Sequence, residues 1–259
     1  MLRNTVERIL RAGILNSCYS SLREGFNRVR WGHFGASKYC PVCEKYSRKF
    51  QSFGTCGSSR PDARCTFCGS LERHRLVWAF FYDRTDLFDD STSKRMLQIS
   101  PGPFADVLRE EQGIDYLSGD IDEGKAMEKV DVTDIQYSAD TFDVVYASHV
   151  LEHIPDDRKA MREIRRVLAP DGWAVLLVPI TAEETFGDSS ITDPEERVRL
   201  FGQHDHVRRY GPDFKDRLEE AGFDVTRYSA PEVVEEENVQ RMGLKRMGAV
   251  DEKIHFCRK

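Results

Sequence analysis

Residues 142–179 constrain the fold of this chain more than any other stretch. Two apolar runs, Val144–Ala147 and Trp173–Val178, contain no charged residue and are separated by a polar cluster, a segment of helical periodicity and the turn Asp171-Gly172. Such runs, bounded by turn signals and joined by a helix, are typical of buried parallel strands. Ligands bind beyond the carboxyl ends of strands in open α/β sheets, so we expect chemistry at residues 148–153.

Strands and helices alternate on both sides of this stretch. The predicted strands cover 95–99, 114–117, 130–132, 142–148, 173–178, 223–228 and 253–257, and the predicted helices cover 71–81, 104–111, 157–168 and 213–221. This alternation predicts an α/β fold with a mostly parallel sheet and right-handed crossovers. The net charge of −6 argues against a dedicated nucleic-acid-binding protein, which would be basic.

Composition divides the chain into three predicted units, at 1–37, 38–80 and 94–259. Residues 1–30 combine helical apolar spacing with six arginines against two glutamates. This basic amphipathic helix either contacts a membrane surface or packs against the protein's own core. With no run of 18 apolar residues and no secretory signal pattern, we expect a cytoplasmic protein, in contact with the membrane's inner face if the helix binds lipid.

The second unit contains two Cys-x2-Cys pairs separated by 21 residues. The four cysteines are Cys40, Cys43, Cys65 and Cys68. Four thiolates match tetrahedral Zn²⁺, and four protein ligands leave no open position, which predicts a structural zinc site. One alternative is that the pairs are redox-active or free thiols. In another, Cys56 or His74 replaces one of the four ligands.

The stretch 142–179 closely resembles the fourth through fifth strands of class I S-adenosylmethionine-dependent methyltransferases. The resemblance covers about residues 94–259 and extends, through the cysteine pairs, back to about residue 38. It implies a Rossmann-like, seven-stranded, mostly parallel sheet with S-adenosylmethionine as the cofactor. The matching cofactor-binding positions are Ser100, Gly102, Asp120, Asp131, Val132, His149, Glu152 and His153. The first turn, 98–103, has only Gly102 of the usual glycines, as in a subfamily with proline in place of the second glycine.

The resemblance also implies roles for the acidic positions. Asp120 ends the second strand, where a carboxylate accepts both ribose hydroxyls, and Asp122 is the alternative. Asp131 and the backbone amide of Val132 correspond to the position that reads the adenine. Asp131 has a competing interpretation as a residue that caps a turn.

His149 and His153 do not match a metal-binding pair, because the metalloprotease pattern needs Glu directly after the first His and Pro155 ends any helix here. The resemblance implies instead that Glu152 and His153 close the cofactor pocket and that His149 lines the cleft near the transferred methyl group. His149 is the candidate general base for a hydroxyl acceptor, whereas a carboxylate acceptor needs none. The alternative is a cleft-wall histidine bonded to the backbone.

Residues 201–211 are too polar for a core segment and form the candidate acceptor site. The candidate acceptor-binding residues are Gln203, His204, His206, Arg208, Arg209 and Tyr210. A pair of guanidinium groups suits a carboxylate or phosphate, although surface arginines beside a helix cap would look the same. The segment resembles a bacterial and archaeal subfamily often associated with cell-surface polysaccharide synthesis, which implies a glycan acceptor.

Three functions follow from these patterns. The first is a methyltransferase acting on a sugar hydroxyl or uronic-acid carboxyl, on a free or lipid-linked glycan. The second is an RNA methyltransferase with a zinc module, which the negative charge and the absence of an Asn/Asp-Pro-Pro-aromatic motif at 148–151 disfavour. The third is a non-catalytic zinc-containing binding protein, suggested by the glycine-poor first turn.

Overall fold

The computed structural model describes residues 35–54, 59–89, 93–244 and 253–259. The predicted helix over 1–37 lies outside these ranges except for its last three residues, and so does Cys56. Within the described residues, none of the helices combines the length and apolar character needed to cross a membrane.

The cysteine pairs lie in a module of two short hairpins. Strand β1 (Lys38–Cys40) pairs antiparallel with β2 (Lys45–Ser47), and β3 (Gln51–Phe53) pairs antiparallel with β4 (Arg60–Arg64). Helix α1 (Glu72–Arg84) leads out of the module and extends three residues beyond its predicted end.

In the rest of the described residues, nine strands form one seven-stranded sheet and one separate antiparallel pair. In chain order, the remaining strands are β5 (Lys94–Ile99), β6 (Ile114–Asp120), β7 (Glu128–Lys129), β8 (Phe142–Ser148), β9 (Leu168–Leu177), β10 (Phe186–Gly187), β11 (Arg208–Arg209), β12 (Asp224–Tyr228) and β13 (Ile254–Arg258). The sheet order is β12-β13-β9-β8-β5-β6-β7, with only β13 antiparallel to its neighbours. The predicted α/β fold with a mostly parallel sheet is confirmed.

Helices connect the strands. They are α2 (Ala105–Glu110), α3 (Asp157–Val167), α4 (Pro194–Phe201), α5 (Phe214–Glu220), α6 (Ala230–Val233) and α7 (Glu236–Arg241), and a single 3₁₀ turn covers Leu151–His153. Helix α3 begins where the Asp156 carboxylate accepts a hydrogen bond from the Lys159 amide (2.9 Å), which satisfies one free donor of the first turn.

Two strand predictions differ from the structure. The strand expected at 130–132 does not form: the paired residues are those of β7 just before it, and a turn begins at Asp131, whose carbonyl accepts a hydrogen bond from the Asp134 amide (3.0 Å). Strand β9 begins at Leu168, and its register with β8 shifts before Trp173. The expected turn residue Gly172 lies inside this irregular strand, where an added Cβ would be 3.0 Å from the Asp143 carbonyl oxygen.

Hydrophobic clusters cover both faces of the sheet, and the cysteine module belongs to one of them. Buried Cys40, Phe50 and Cys65 are in the same cluster as the sheet residues Met96 and Val144. Arg75 in α1 is fully buried in this cluster. Its guanidinium donates to the carbonyls of Ser70 (2.7 Å) and Met242 (2.6 Å) and stacks on Phe50 at 4.2 Å. The module and the sheet therefore share one core.

We expect His255 in β13 to make the fold sensitive to acid. Burial, together with the nearby charge of Arg227, lowers the pKa of His255 to about 4. Between pH 6.5 and 4 the unfolded chain binds a proton at this position and the folded chain does not. The free energy of unfolding should therefore fall by about 1.4 kcal/mol per pH unit as pH drops through this window. Urea unfolding at pH 7.5, 6 and 5 measures it, and His255→Leu should flatten the slope; an unchanged slope in the variant would contradict the assignment.

Candidate functional site

Three strands end side by side where the strand order reverses. Ile99 at the end of β5 lies opposite Gly119 of β6 and Ala147 of β8. The residues that follow, Ser100 and Asp120 among them, therefore occupy one edge of the sheet. Open α/β sheets bind ligands at such a reversal, so this edge is the candidate site.

Two non-glycine residues at this edge have left-handed backbone conformations. Ser100 after β5 has φ 52° and His149 after β8 has φ 58°, conformations that cost about 1 kcal/mol or more each. Backbone hydrogen bonds hold both, from Ser100 to the Gly119 carbonyl (2.8 Å) and from His149 to the Leu177 carbonyl (2.9 Å). Ser100 thus makes the left-handed turn for which glycine-rich loops use glycine.

The two acidic residues at the end of the second strand, Asp120 and Asp122, have different surroundings. Asp120 is half-buried, and its Oδ1 accepts a hydrogen bond from the Asp122 amide (3.0 Å), which fixes the carboxylate at the strand end. Asp122 is exposed and pairs with Lys125. Gly119 is required here, because an added Cβ would lie 2.4 Å from Val130 Cγ2. This geometry favours Asp120 over Asp122 as the residue that faces a ligand.

Asp131 caps a turn. Its Oδ1 accepts hydrogen bonds from the backbone amide (2.8 Å) and hydroxyl (2.7 Å) of Thr133, and Val132 beside it is buried. The capping interpretation is therefore observed, and recognition of adenine by Asp131 and Val132 stays a prediction. A separate cavity of about 560 Å³ adjoins the first turn. Its lining includes Pro101, Ala105, Arg109, Ser118, Lys125 and Met127, but neither Asp120 nor Asp131.

His74 approaches the first turn from helix α1. A Cβ added to Gly102 would be 3.8 Å from His74 Nε2. The Leu71 amide donates to His74 Nδ1 (3.1 Å), so the neutral ring carries its proton on Nε2. Burial lowers the pKa of His74 to about 2, with further contributions from Arg73 and His149. His74 is thus a neutral N–H donor beside the strand ends, not a substitute metal ligand as the sequence allowed.

His149 lies against a buried carboxylate. Glu152 in the 3₁₀ turn is 1% exposed, and its Oε1 is 3.3 Å from His149 Nδ1. Burial alone raises the pKa of Glu152, but the neighbouring His149 outweighs it and holds the pKa below its ordinary value. The pair can hold a proton on the imidazole while the carboxylate stays charged.

Glu152, His153 and His206 also come together, with one potential ligand atom from each lying within 4.8 Å of the others. The rings of His153 and His206 meet edge to face at 4.7 Å. The Val207 amide donates to the Glu152 carbonyl (3.0 Å) and so holds the two segments together. The sequence had argued against metal ligands at 149–153 and had not joined His206 to them. That residue is distant in the chain, and no local spacing signals the contact.

The acceptor candidates divide into exposed and buried residues. Gln203 and His204 are exposed, and Arg209 is half-buried and donates to Thr181. Arg208, 7% exposed, donates to the carbonyls of Leu151 (3.0 Å), Ile154 and Pro155 (2.8 Å).

Tyr210 is fully buried, and its hydroxyl donates to the Asp157 carboxylate (2.8 Å). These bonds correct the expectation that Arg208 and Tyr210 face an acceptor, because both side chains are occupied in attaching the loop to residues 151–157.

The four paired cysteines form one cluster at the base of the module. Their sulfur atoms lie within 4.8 Å of one another, with Cys40 and Cys68 3.6 Å apart and Cys43 and Cys65 3.8 Å apart. Ligands about 2.3 Å from a tetrahedral zinc ion are about 3.8 Å apart, and a disulfide would be about 2 Å. The Phe67 amide faces Cys65 Sγ at 3.4 Å. The cluster can therefore hold a tetrahedral metal ion.

Comparisons with known proteins agree with the fold. A family model described as a methyltransferase domain matches residues 82–228. The 27-O-demethylrifamycin SV methyltransferase of Amycolatopsis mediterranei (strain S699) is 31% identical over 122 residues, which cover 43% of this chain and 42% of that protein. The chain thus matches less than half the length of this curated relative. An S-adenosylmethionine-dependent methyltransferase structure from Mesorhizobium loti has a TM-score of 0.50 at 13% identity, covering 71% of this chain and 98% of that chain.

Proposed function

The chain belongs to the methyltransferase domain family, whose model matches residues 82–228, and from this membership we propose that it O-methylates a sugar or uronic-acid unit of a glycan. The observation that carries the proposal is the grouping of Ser100, Asp120 and His149 at the edge where the strand order reverses.

The residues at this edge fit S-adenosylmethionine. When bound, this cofactor supplies an electrophilic methyl group on a sulfonium, which an acceptor oxygen takes by in-line displacement as the carbon–sulfur electrons return to sulfur. Asp120 would accept hydrogen bonds from the ribose hydroxyls. His74, as a neutral donor at the first turn, would contribute a hydrogen bond to the amino-acid end.

His149 would receive the proton that a hydroxyl acceptor loses. The buried Glu152 carboxylate, 3.3 Å from His149 Nδ1, would stabilise the imidazolium that results. A carboxylate acceptor would need no base, so loss of activity in His149→Ala would distinguish the two acceptor types.

The proposal includes a structural Zn²⁺ at Cys40, Cys43, Cys65 and Cys68, supported by the sulfur separations of 3.6 and 3.8 Å. The choice of an oxygen acceptor is supported by the relative whose name describes methylation of 27-O-demethylrifamycin SV. The glycan class rests on the resemblance of residues 201–211 to polysaccharide-associated proteins. A lipid-linked glycan would agree with a cytoplasmic protein whose basic residues 1–30 contact a membrane surface.

Two measurements test the proposal. Calorimetry should show S-adenosylhomocysteine binding in the micromolar range, and its absence would favour the non-catalytic alternative. Methyl-labelled cofactor should then label a sugar or uronate in a lipid-glycan extract and produce a mass shift of one methyl group. Label in total RNA instead would overturn the glycan assignment.

A further inference from the structure

We propose that Glu152, His153 and His206 bind a divalent first-row transition-metal ion beside the site, and that this ion binds the acceptor oxygen. The metal site stands on the geometry of these three residues alone. Its role toward the acceptor rests on the proposed function.

The spacing of the three residues suits a common ion. Their potential ligand atoms lie within 4.8 Å of one another. Ligands about 2.1 Å from one ion are roughly 3 to 4 Å apart, so closure requires a shift of about 1 to 2 Å at most. The His153 side chain is 33% exposed and has room for that movement.

Both histidines already have the outer contacts that metal-bound histidines make. His206 Nδ1 lies 3.3 Å from the Phe201 carbonyl oxygen, and His153 Nδ1 lies 3.4 Å from the Asp205 carboxylate. Metal-bound histidines commonly donate their second ring N–H to a carbonyl or carboxylate, which fixes the ring and its tautomer. In both rings Nε2 is left for the ion.

The third ligand is a carboxylate removed from water. Glu152 is 1% exposed, and among the described residues neither of its oxygens accepts a hydrogen bond of good geometry. Its Oε1 lies 3.3 Å from His149 Nδ1, which leaves Oε2 for a cation. A buried carboxylate is costly unless charge or hydrogen bonds compensate it, and a bound cation would do so.

Two imidazoles and one carboxylate select the class of metal. Imidazole suits Fe²⁺, Co²⁺, Ni²⁺ or Zn²⁺, and the carboxylate admits Mn²⁺ as well, whereas Mg²⁺ and Ca²⁺ prefer ligand sets made of oxygen alone. Three protein ligands leave positions open, as in catalytic rather than structural sites. The cysteine cluster and this cluster are therefore opposite in kind, one closed and sulfur-rich, the other open and nitrogen-rich.

An open metal position next to His149 defines the acceptor further. When bound, the ion would supply Lewis-acid polarisation of an acceptor hydroxyl; His149 would receive the hydroxyl proton, and the oxygen would keep the electron pair for attack on the methyl carbon. The metal does not change oxidation state. With more than one open position, the ion would bind two neighbouring oxygens, so we infer an acceptor with a vicinal diol or a hydroxyl beside a carboxylate.

The test uses the full chain loaded with a single equivalent of zinc, which the four thiolates take up, and measures Mn²⁺ binding by electron paramagnetic resonance, without cofactor or acceptor. One Mn²⁺ per chain is expected. His206→Ala and Glu152→Gln should each weaken binding at least tenfold. His204→Ala removes an exposed histidine of the same loop and should leave binding unchanged. Thermal unfolding and zinc content identify any variant that fails to fold, and the partly exposed His153→Ala then serves in its place.

The outcomes separate the two proposals. Equal Mn²⁺ binding by wild type and by folded cluster variants, or no binding to wild type, would overturn the metal site. Methyl transfer that survives removal of this ion would overturn its role in the reaction and leave the proposed function intact. Mn²⁺ binding that depends on the cluster, in a protein that methylates no sugar, would support the site and refute the glycan function.

Discussion

Cys65→Ala is expected to abolish zinc binding and to destabilise the whole chain rather than the module alone. The four sulfurs are spaced for one tetrahedral ion, and loss of a ligand removes most of the binding free energy that orders the hairpins. Because Cys65 belongs to the same buried cluster as Met96 in the central sheet, the loss extends to the sheet. We expect about 3–5 kcal/mol of lost stability and a melting temperature about 10 °C lower.

Zinc content and a thermal melt followed by circular dichroism measure the two effects. Cys257→Ala is the matched control, because it removes a fully buried thiol of β13 that lies outside the cysteine cluster. That variant should keep its zinc and lose far less stability. A Cys65→Ala protein with full zinc content and an unchanged melting temperature would refute the metal assignment.

Asp120→Ala is expected to weaken S-adenosylhomocysteine binding by about 100-fold or more. The carboxylate would accept two hydrogen bonds from the ribose, and hydrogen bonds to a charged group contribute about 1.5–3 kcal/mol each. Stability should change little, because Asp120 is half-buried at a strand end. Isothermal titration calorimetry with the purified variant gives the dissociation constant.

Asp122→Ala is the control for this prediction. The two acids are two residues apart, but Asp122 is exposed and engaged with Lys125 on the surface. It should change the affinity less than threefold, an effect of well under 1 kcal/mol. If Asp122→Ala abolished binding while Asp120→Ala did not, Asp122 rather than Asp120 would be the residue that binds the ribose hydroxyls.

The sheet was predictable because its signal is local. A continuous apolar run such as Val144–Ala147 indicates a strand buried on both faces, and the strand that contains it, Phe142–Ser148, has the predicted bounds. Residues 130–132 resemble a strand in sequence because Val130 and Val132 are apolar; both are buried, but the paired residues are those of β7. Buried residues are apolar whether or not their backbone pairs with a neighbouring strand, so the apolar pattern alone does not show that a strand forms.

The site was predictable only where it follows from strand ends. Asp120 is the last residue of β6 and His149 comes directly after β8, so topology alone brings them to one edge. His74 and His206 reach it from other segments, and such contacts have no period or spacing to reveal them. The positions of His74 and His206 at this edge are determined by tertiary packing.

Arg208 shows why the polar loop was misjudged. Three carbonyl oxygens of the tight turn at 151–155 accept hydrogen bonds from the Arg208 guanidinium, although that of Leu151 also accepts one from the Ile154 amide (3.2 Å). The sequence does not distinguish an arginine that donates hydrogen bonds to backbone carbonyls from an arginine that binds a substrate. Only its 7% exposure separates the two.

Helix α1 sets where this protein can be divided. The family match starts at residue 82, inside Glu72–Arg84, so a fragment beginning there would retain only the last turn of the helix. It would lose His74 from beside the first turn and Phe80 and Phe81, which pack on Phe256 and Tyr146 of the sheet. The start of the family match at residue 82 is thus not the start of a unit that would fold by itself. Fragments for expression, domain exchange or fusion should begin ahead of β1 and carry the cysteine module with the sheet.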